Sequence, residues 1–298
     1  MKPTQKRSAA GASAAERSIG ERLRCDSAAL SEALRVPLPE ARREVQVLLS
    51  RALGWNLARL LAYPEAAPGF EATERYERML ARRLTQEPLA YILSEREFYS
   101  LTFEVSPAVL IPRPETELLV ELALARVPTS VSCRILELGA GSGCIAVTVA
   151  KLRPHAQVVA TDLSDAALEV LVRNAGRHGV TNLTARVGNW FDVVDGERFD
   201  LILSNPPYIA ERDPHLSQGD LRFEPPIALQ SGADGLDALR EITAQAPRHL
   251  MPGGWLLVEH AQDQEVAVSG LMKGAGFTEL FSRSDLAGIP RVAGGRLP

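Results

Sequence analysis

Two stretches decide how this chain is read. Ile135-Leu136-Glu137-Leu138-Gly139-Ala140-Gly141-Ser142-Gly143 is an apolar strand running into a glycine loop. Roughly sixty residues later, Phe199-Asp200-Leu201-Ile202-Leu203-Ser204 is a second apolar strand, running into Asn205-Pro206-Pro207-Tyr208. From Cys133 onward such runs alternate with amphipathic segments. Strands are expected at 133–138, 157–161, 183–187, 199–204, 254–259 and 277–280. Helices are expected near 143–152, 164–178, 236–248 and 262–275. Apolar strands alternating with helices predict an α/β fold: a Rossmann-like, mostly parallel, doubly wound sheet covered on both faces.

The front of the chain has a different period. Over 19–87 the apolar residues follow helical spacing, as in Ala41, Val45, Leu48, Leu49 and Ala52. Pro39-Glu40 opens that segment and Gly54 closes it; Asn56 caps a short helix, Leu57 to Ala62, which Pro64 stops. Glu71 to Leu84 is a third amphipathic segment. A small N-terminal helical-bundle domain is therefore expected over 19–87. It is followed by a linker over 88–112, in which Phe98 to Val105 pairs with Ala108 to Ile111 around Ser106-Pro107. The main domain is expected over 113–298, opening with a helix from Glu115 to Arg126. Residues 1–18, rich in Ala, Ser and Gly, read as a disordered tail; a mitochondrial presequence is the alternative reading, since no acid precedes Glu16.

Composition narrows the classes. The chain has 298 residues, 46% hydrophobic and 23% charged, as in an ordinary globular protein. No apolar run reaches the 18 or so residues of a membrane span. Cys25, Cys133 and Cys144 are scattered, which fits reduced thiols in a cytoplasmic protein. The five histidines form no ligand cluster, and no metal site is expected. Residues 1–90 carry 15 Lys/Arg against 11 Asp/Glu, while the remainder carries 18 against 26, a balance of −8. An acidic main domain opposes gripping a long phosphate backbone, so no stable nucleic-acid binding is expected.

The glycine loop is G-x-G-x-G, not the longer dinucleotide form that seats a pyrophosphate. Here Gly139, Ala140, Gly141, Ser142 and Gly143 let backbone approach a ligand with little side chain in the way. Asp162, 21 residues past Gly141, ends the next strand, where a carboxylate can accept both hydroxyl protons of a ribose. Glu137 reads either as a pleat residue facing solvent or as a partner for a ligand's amino group. Trp190, after the strand at 183–187, reads equally as core and as an adenine contact. Cys144, at a helix start, reads as a small packing residue or an activated thiol.

Asn205-Pro206-Pro207-Tyr208 suits a planar nitrogen. An amide nitrogen is a poor nucleophile, because its lone pair is delocalised into the carbonyl. It must be aimed, and both its N–H groups need acceptors. The Asn205 side-chain oxygen takes one and the Pro206 carbonyl the other; proline adds no competing N–H, and Tyr208 offers a flat face. A plain turn is the alternative reading of the two prolines.

With these residues placed, the chain resembles the HemK/PrmC family of class I S-adenosylmethionine-dependent methyltransferases, the release-factor glutamine N5-methyltransferases. The likeness runs over roughly residues 30–290. It rests on Glu87-Pro88-Leu89-Ala90-Tyr91-Ile92, Arg96-Glu97-Phe98-Tyr99, Ile111-Pro112-Arg113-Pro114-Glu115-Thr116-Glu117, Asn205-Pro206-Pro207-Tyr208-Ile209, Arg222-Phe223-Glu224-Pro225 and Asp234-Gly235-Leu236-Asp237. Asn-Pro-Pro-Tyr alone is shared with DNA adenine and rRNA guanine methyltransferases; the Pro-Arg-Pro-Glu-Thr and Arg-Phe-Glu-Pro segments are far more specific.

The resemblance implies methylation of the glutamine in the Gly-Gly-Gln loop of class I peptide-chain release factors, with the helical domain helping to grip the substrate. It implies a donor site at Gly139 to Gly143, Asp162, Trp190 and Asn205. It implies a glutamine site at Asn205, Pro206, Pro207 and Tyr208 with Phe98 near. A monomer is expected. Asn189 stands where the family usually has Asp, and the segment from Gly288 lacks the usual acidic pair before Arg291-Val292. The competing readings are a nucleic-acid exocyclic-amine methyltransferase, which would need a basic cleft, and a non-enzymatic donor-binding module, which predicts loss of the glycine loop, Asp162 or Asn205, all of which are intact.

Overall fold

A computed structural model describes residues 17–298, so the tail expected over 1–18 lies outside the described residues up to 16. The chain divides into two compact units between Leu93 and Ser94.

The first unit is helical: α1 (Ile19–Leu34), α2 (Leu38–Leu53), α3 (Leu57–Ala62), α4 (Phe70–Leu84) and α5 (Leu89–Leu93). The ends are chemically specified. Ser18 and Glu21 form a reciprocal capping box on α1. Gly54 takes the left-handed conformation that closes α2. Asn56 Oδ1 accepts from the Arg59 N–H at 2.9 Å to start α3. Apolar faces from α1, α2, α3 and α4 meet in one core containing Leu23, Leu30, Val45, Leu48, Leu60 and Tyr76. Buried charge in this unit is paired: the Tyr76 hydroxyl donates to Asp26 at 2.8 Å, and Arg83 donates to Glu44 at 2.6 Å. The segment from Pro88 does not simply break the helical period as its sequence suggests. It forms the short α5, because a proline is tolerated at a helix start and the Tyr91 and Ile92 N–H groups bond back to the Pro88 carbonyl.

The second unit opens with a hairpin, β1 (Glu95–Phe98) and β2 (Leu101–Glu104), paired antiparallel with Phe98 opposite Leu101. This corrects the pairing expected around Ser106-Pro107. The turn is Tyr99-Ser100, with φ of 51° and 60°. Two successive positive φ values match the twist of a two-residue hairpin. Neither residue is the glycine or asparagine that signals such a turn in sequence. Ser106-Pro107 instead lies in a following turn, closed by the Val109 N–H on the Ser106 carbonyl.

A seven-stranded sheet follows, in the order β5-β4-β3-β6-β7-β9-β8. Its strands are β3 (Arg134–Leu138), β4 (Gln157–Asp162), β5 (Leu183–Val187), β6 (Phe199–Ser204), β7 (Leu250–Glu259), β8 (Thr278–Ser284) and β9 (Pro290–Arg296). The first five are parallel; β9 runs antiparallel to both β7 and β8. One face packs against α6 (Glu117–Arg126), α7 (Cys144–Leu152) and α8 (Asp165–Arg177), the other against α9 (Asp237–His249) and α10 (Glu265–Gly274). Strand β9 lies where the sequence patterning predicts none. Its middle is Gly294-Gly295, which carries no β signal, yet a side chain at Gly294 would lie 2.3 Å from the Phe281 ring.

The chain runs from β3 outward to β4 and β5, then returns to β6 on the other side of β3. That reversal creates the switch point at which open α/β sheets bind ligands, at the carboxyl ends of the strands. The glycine loop leaves β3 there, and Asn205-Pro206-Pro207-Tyr208 leaves β6.

Candidate active site

A cavity of about 350 Å³ opens at this switch point, within the range of small-molecule sites. Its wall includes the backbone of the glycine loop, Asp162, Trp190, Asn205 and Pro207.

Gly139, Gly141 and Gly143 all have positive φ, and the Gly139 and Ala140 N–H groups bond the Thr161 carbonyl of β4. At Gly143 the reason for glycine is doubled: φ is 77°, and a Cβ would fall 2.6 Å from Leu171 Cγ of α8. Asp162 Oδ2 accepts from the Gly141 N–H at 2.8 Å, and Oδ1 from the Ser164 N–H at 2.9 Å. Each oxygen keeps a lone pair for a ligand hydroxyl. The Trp190 ring lies against Gly139, so Trp190 is both half-buried packing and cavity wall.

Glu137 does not face solvent. It is buried, and its carboxylate accepts from the Ala146 N–H at 2.7 Å in the first turn of α7, while also lining the cavity. Burial pushes its carboxyl well above the usual range; the Ala146 N–H pulls down and the Asp162 charge pushes up. Cys144 is no activated thiol, because burial first and the Glu137 carboxylate second push it up.

At the end of β6, Asn205 is half-buried on the cavity wall, and its Nδ2 donates to Thr116 Oγ1 at 3.2 Å. Pro206 is buried, and among the described residues no donor engages its carbonyl. Tyr208 lies off the cavity wall. Its hydroxyl donates to buried Glu259 at 3.2 Å, and its own proton is held tightly by burial and by that carboxylate. Phe98 is also elsewhere: it sits in the core with its ring edge-on to Phe103, 6.1 Å between centroids.

Several site residues were not singled out by sequence. Arg113 Nη2 donates to Glu224 Oε1 at 2.6 Å, joining the Pro-Arg-Pro-Glu-Thr and Arg-Phe-Glu-Pro segments beside the cavity that Arg113 and Pro225 help to line. Burial pushes the Glu224 carboxyl up to about 7 against the pull of Arg113. Asn174 of α8 donates to the Ser142 carbonyl at 2.9 Å and exchanges two bonds with Glu104, tying the glycine loop to the hairpin. Asn189 Nδ2 lies 3.5 Å from Glu241 Oε1, and both line the cavity. Among the described residues no group of three or more His, Cys, Asp or Glu is arranged to hold a metal ion. No helix among them is long and apolar enough to cross a membrane.

Comparison with known proteins agrees with this architecture. Residues 27–93 match the PrmC N-terminal domain, and residues 115–219 match the Methyltransferase small domain. The release factor glutamine methyltransferase of Xylella fastidiosa is 49% identical over 86% of this chain and 94% of its own length. That of Bordetella pertussis is 49% identical over 86% of this chain and 95% of its own. The chain belongs to the release factor glutamine methyltransferase family. A methyltransferase from Pyrococcus furiosus shares the fold with a TM-score of 0.52 at 18% identity, covering 74% of this chain and 98% of that one. Thr116 lies in the Pro-Arg-Pro-Glu-Thr segment and Glu224 in the Arg-Phe-Glu-Pro segment; the segments are legible in the sequence, and the contacts they make are not.

Proposed function

We propose that this chain transfers the methyl group of S-adenosylmethionine to the side-chain amide nitrogen of the glutamine in the Gly-Gly-Gln loop of peptide-chain release factors. The observation that carries the reading is the pairing of two features at one switch point. A glycine loop with its carboxylate partner Asp162 leaves β3, and an amide acceptor, Asn205, leaves the neighbouring β6 onto the same cavity.

The donor fits the residues present. Asp162 would hold the ribose hydroxyls, Trp190 would contact the adenine, and the loop from Gly139 to Gly143 with Glu137 would take the amino-acid portion. When bound, S-adenosylmethionine supplies an electrophilic methyl group on a sulfonium.

The remaining work belongs to the chain. Asn205 Oδ1 accepts one N–H of the glutamine amide and the Pro206 carbonyl accepts the other. The nitrogen lone pair is thereby aimed at the methyl carbon, and positioning of this kind is worth roughly 7–11 kcal/mol in favourable cases. The new N–C bond forms as the S–C bond breaks, and the surplus amide proton leaves to water after transfer. Tyr208 anchors the turn through its hydrogen bond to Glu259, and the helical unit, 19–87 as read from sequence, contributes to gripping the release factor. The protein works as a cytoplasmic monomer without a metal.

The test is transfer of labelled methyl from S-adenosylmethionine to three acceptors in one assay. They are a purified release factor, the same factor with the Gly-Gly-Gln glutamine changed to alanine, and bulk DNA plus rRNA. Label on the first alone is expected. Label on nucleic acid instead would move this chain to the amine methyltransferases.

A further inference from the structure

We propose that Gln264, backed by Gly235, is the positioning residue of the Asn205-Pro206-Pro207-Tyr208 turn: its side-chain amide holds the Tyr208 carbonyl and so fixes the acceptor end of the site. This rests on the glutamine-methylation reading above. Gln264 Nε2 donates to the Tyr208 carbonyl at 3.0 Å, across 56 residues of chain, and to the Gly235 carbonyl at 3.2 Å. Its Oε1 accepts from the Ala261 N–H at 3.0 Å, and the Gln264 N–H returns a bond of 3.0 Å to the Ala261 carbonyl. The residue is buried, immediately before α10. All three partners of the side chain are backbone groups. A carbonyl only accepts and an N–H only donates, so the amide has one orientation, with its amino edge toward Tyr208.

Gly235 makes the contact possible. Its φ is 76°, and a Cβ there would lie 2.4 Å from the Tyr208 oxygen and 2.9 Å from Gln264 Nε2. Only glycine leaves room for both. This gives the Asp234-Gly235-Leu236-Asp237 segment a physical task beside the turn. The strip before it is stitched to the residues after Tyr208. The Ile209 N–H donates to the Leu229 carbonyl, the Ser231 N–H to the Ile209 carbonyl and the Glu211 N–H to the Gly232 carbonyl, each at 2.9 Å. Gln230, Ser231 and Gly232 of that strip line the cavity.

The turn needs outside support because of its own chemistry. Pro206 and Pro207 have no N–H to give, and their rings fix φ. Upstream, the ladder pins Ser204 between Leu138 and Val258. Downstream, Tyr208 is pinned twice, by its hydroxyl on Glu259 at 3.2 Å and by its carbonyl on Gln264. Asn205, Pro206 and Pro207 then span two fixed points, with two of their three φ angles set by rings. That span aims the Asn205 side chain and the Pro206 carbonyl. Releasing the Tyr208 carbonyl frees the downstream point and lets both acceptors turn. The glycine loop is held by other bonds, those to Thr161 and Asp162, and keeps its shape.

Gln264→Met keeps the length of the side chain and removes its three hydrogen bonds. Gly235→Ala leaves Gln264 in place and pushes on the Tyr208 oxygen. In methyl transfer to a release factor at saturating donor, each is expected to lower kcat by at least about 10-fold, with the donor Kd by calorimetry within about 2-fold of wild type. Gln264→Glu keeps the acceptor for the Ala261 N–H but, once ionised, donates nothing, and should do no better than Gln264→Met. A residue that only fills space would lower the melting temperature and leave kcat of the folded protein unchanged. The readout independent of activity is backbone amide exchange in the apo protein, followed by NMR. At Ile209 and Ser231 it should quicken by about 10-fold in Gln264→Met, and at Gly139 and Ala140 it should stay at the wild-type rate. Equal exchange at Ile209 in wild type and Gln264→Met overturns the inference whatever the substrate. So does an unchanged kcat in a folded Gln264→Met, or a loss of donor affinity as large as the loss in kcat. The exchange difference in a protein that leaves the release factor unmethylated would overturn the functional reading and leave the hold of Gln264 on the turn standing.

Discussion

Leu138 and Ser204 are register partners on the adjacent parallel strands β3 and β6, and the Ser204 hydroxyl donates to the Leu138 carbonyl at 2.8 Å. One residue further along, each strand becomes a functional segment: the glycine loop starts at Gly139 and the Asn-Pro-Pro-Tyr turn at Asn205. The two therefore leave the sheet at one level, across a single interstrand spacing of about 4.8 Å. This brings the glycine loop and the Asn205 amide onto one cavity although they are far apart in the chain.

Asn205→Ala should separate binding from chemistry. The variant loses the acceptor proposed for the substrate amide, while the loop and Asp162 are untouched. Calorimetry should show donor affinity largely retained. Turnover should fall by about 100-fold, the size expected when a reacting group is no longer aimed. Unchanged turnover would sink the assigned role.

Asp162→Ala acts on the donor side. It removes the carboxylate proposed for the ribose hydroxyls and also frees the Gly141 and Ser164 N–H groups that it now engages. Hydrogen bonds to a charged group are worth about 1.5–3 kcal/mol, so donor affinity should weaken by roughly 10- to 150-fold. Calorimetry with S-adenosylmethionine decides the matter; an unaltered Kd would mean the ribose lies elsewhere.

Gly143→Ala tests the loop as a piece of packing. The left-handed backbone alone should cost about 1–3 kcal/mol in stability, and the contact 2.6 Å from Leu171 Cγ adds to it. In a Leu171→Ala background the contacts with Cγ and Cδ1 are removed, leaving the backbone part and a tight 3.2 Å approach to Cβ. Thermal or urea unfolding of the four proteins gives the coupling directly. Simple additivity would show that Leu171 relaxes out of the way.

Stability should decline from pH 5 to pH 8 because of buried carboxylates. Burial pushes Glu224 and Glu259 up to about 7. Between the ordinary carboxylate range and pH 7 the unfolded chain has lost these protons and the folded chain keeps them. Folding is therefore favoured at the acid end, and the gain disappears as pH rises through about 7. Each group contributes a slope of up to about 1.4 kcal/mol per pH unit. Urea unfolding across this range should show the decline, flattened in Glu224→Gln. A slope identical in wild type and variant would exclude Glu224 as a source.

Much of the fold was legible because its signals are local. The strands at 157, 183 and 199 start where their apolar runs start, and Asn56 and Gly54 mark helix ends by their own backbone chemistry. The signal failed where local chemistry is silent. Tyr99-Ser100 makes a left-handed turn without glycine, and β9 carries Gly294-Gly295 where β-formers are expected. Both conformations are imposed from outside, by strand pairing and by Phe281 packed over Gly294.

The site divides along the same line. The loop from Gly139 to Gly143, Asp162 and the turn from Asn205 could be picked out from the chain alone, because strand, turn and acid follow one another at short spacing and each residue type states its chemistry. Which way those residues face could not. Glu137 caps α7, Tyr208 turns its hydroxyl to Glu259, and Phe98 stays in the core. Asn205 Nδ2 donates to Thr116 Oγ1 across 89 residues, and Glu224 takes Arg113 as its partner across 111 residues. Such pairings depend on the order of strands in the sheet and on which side chains burial forces together. That information is carried by no single segment, because a buried polar group is satisfied by whatever the fold brings within about 3 Å of it.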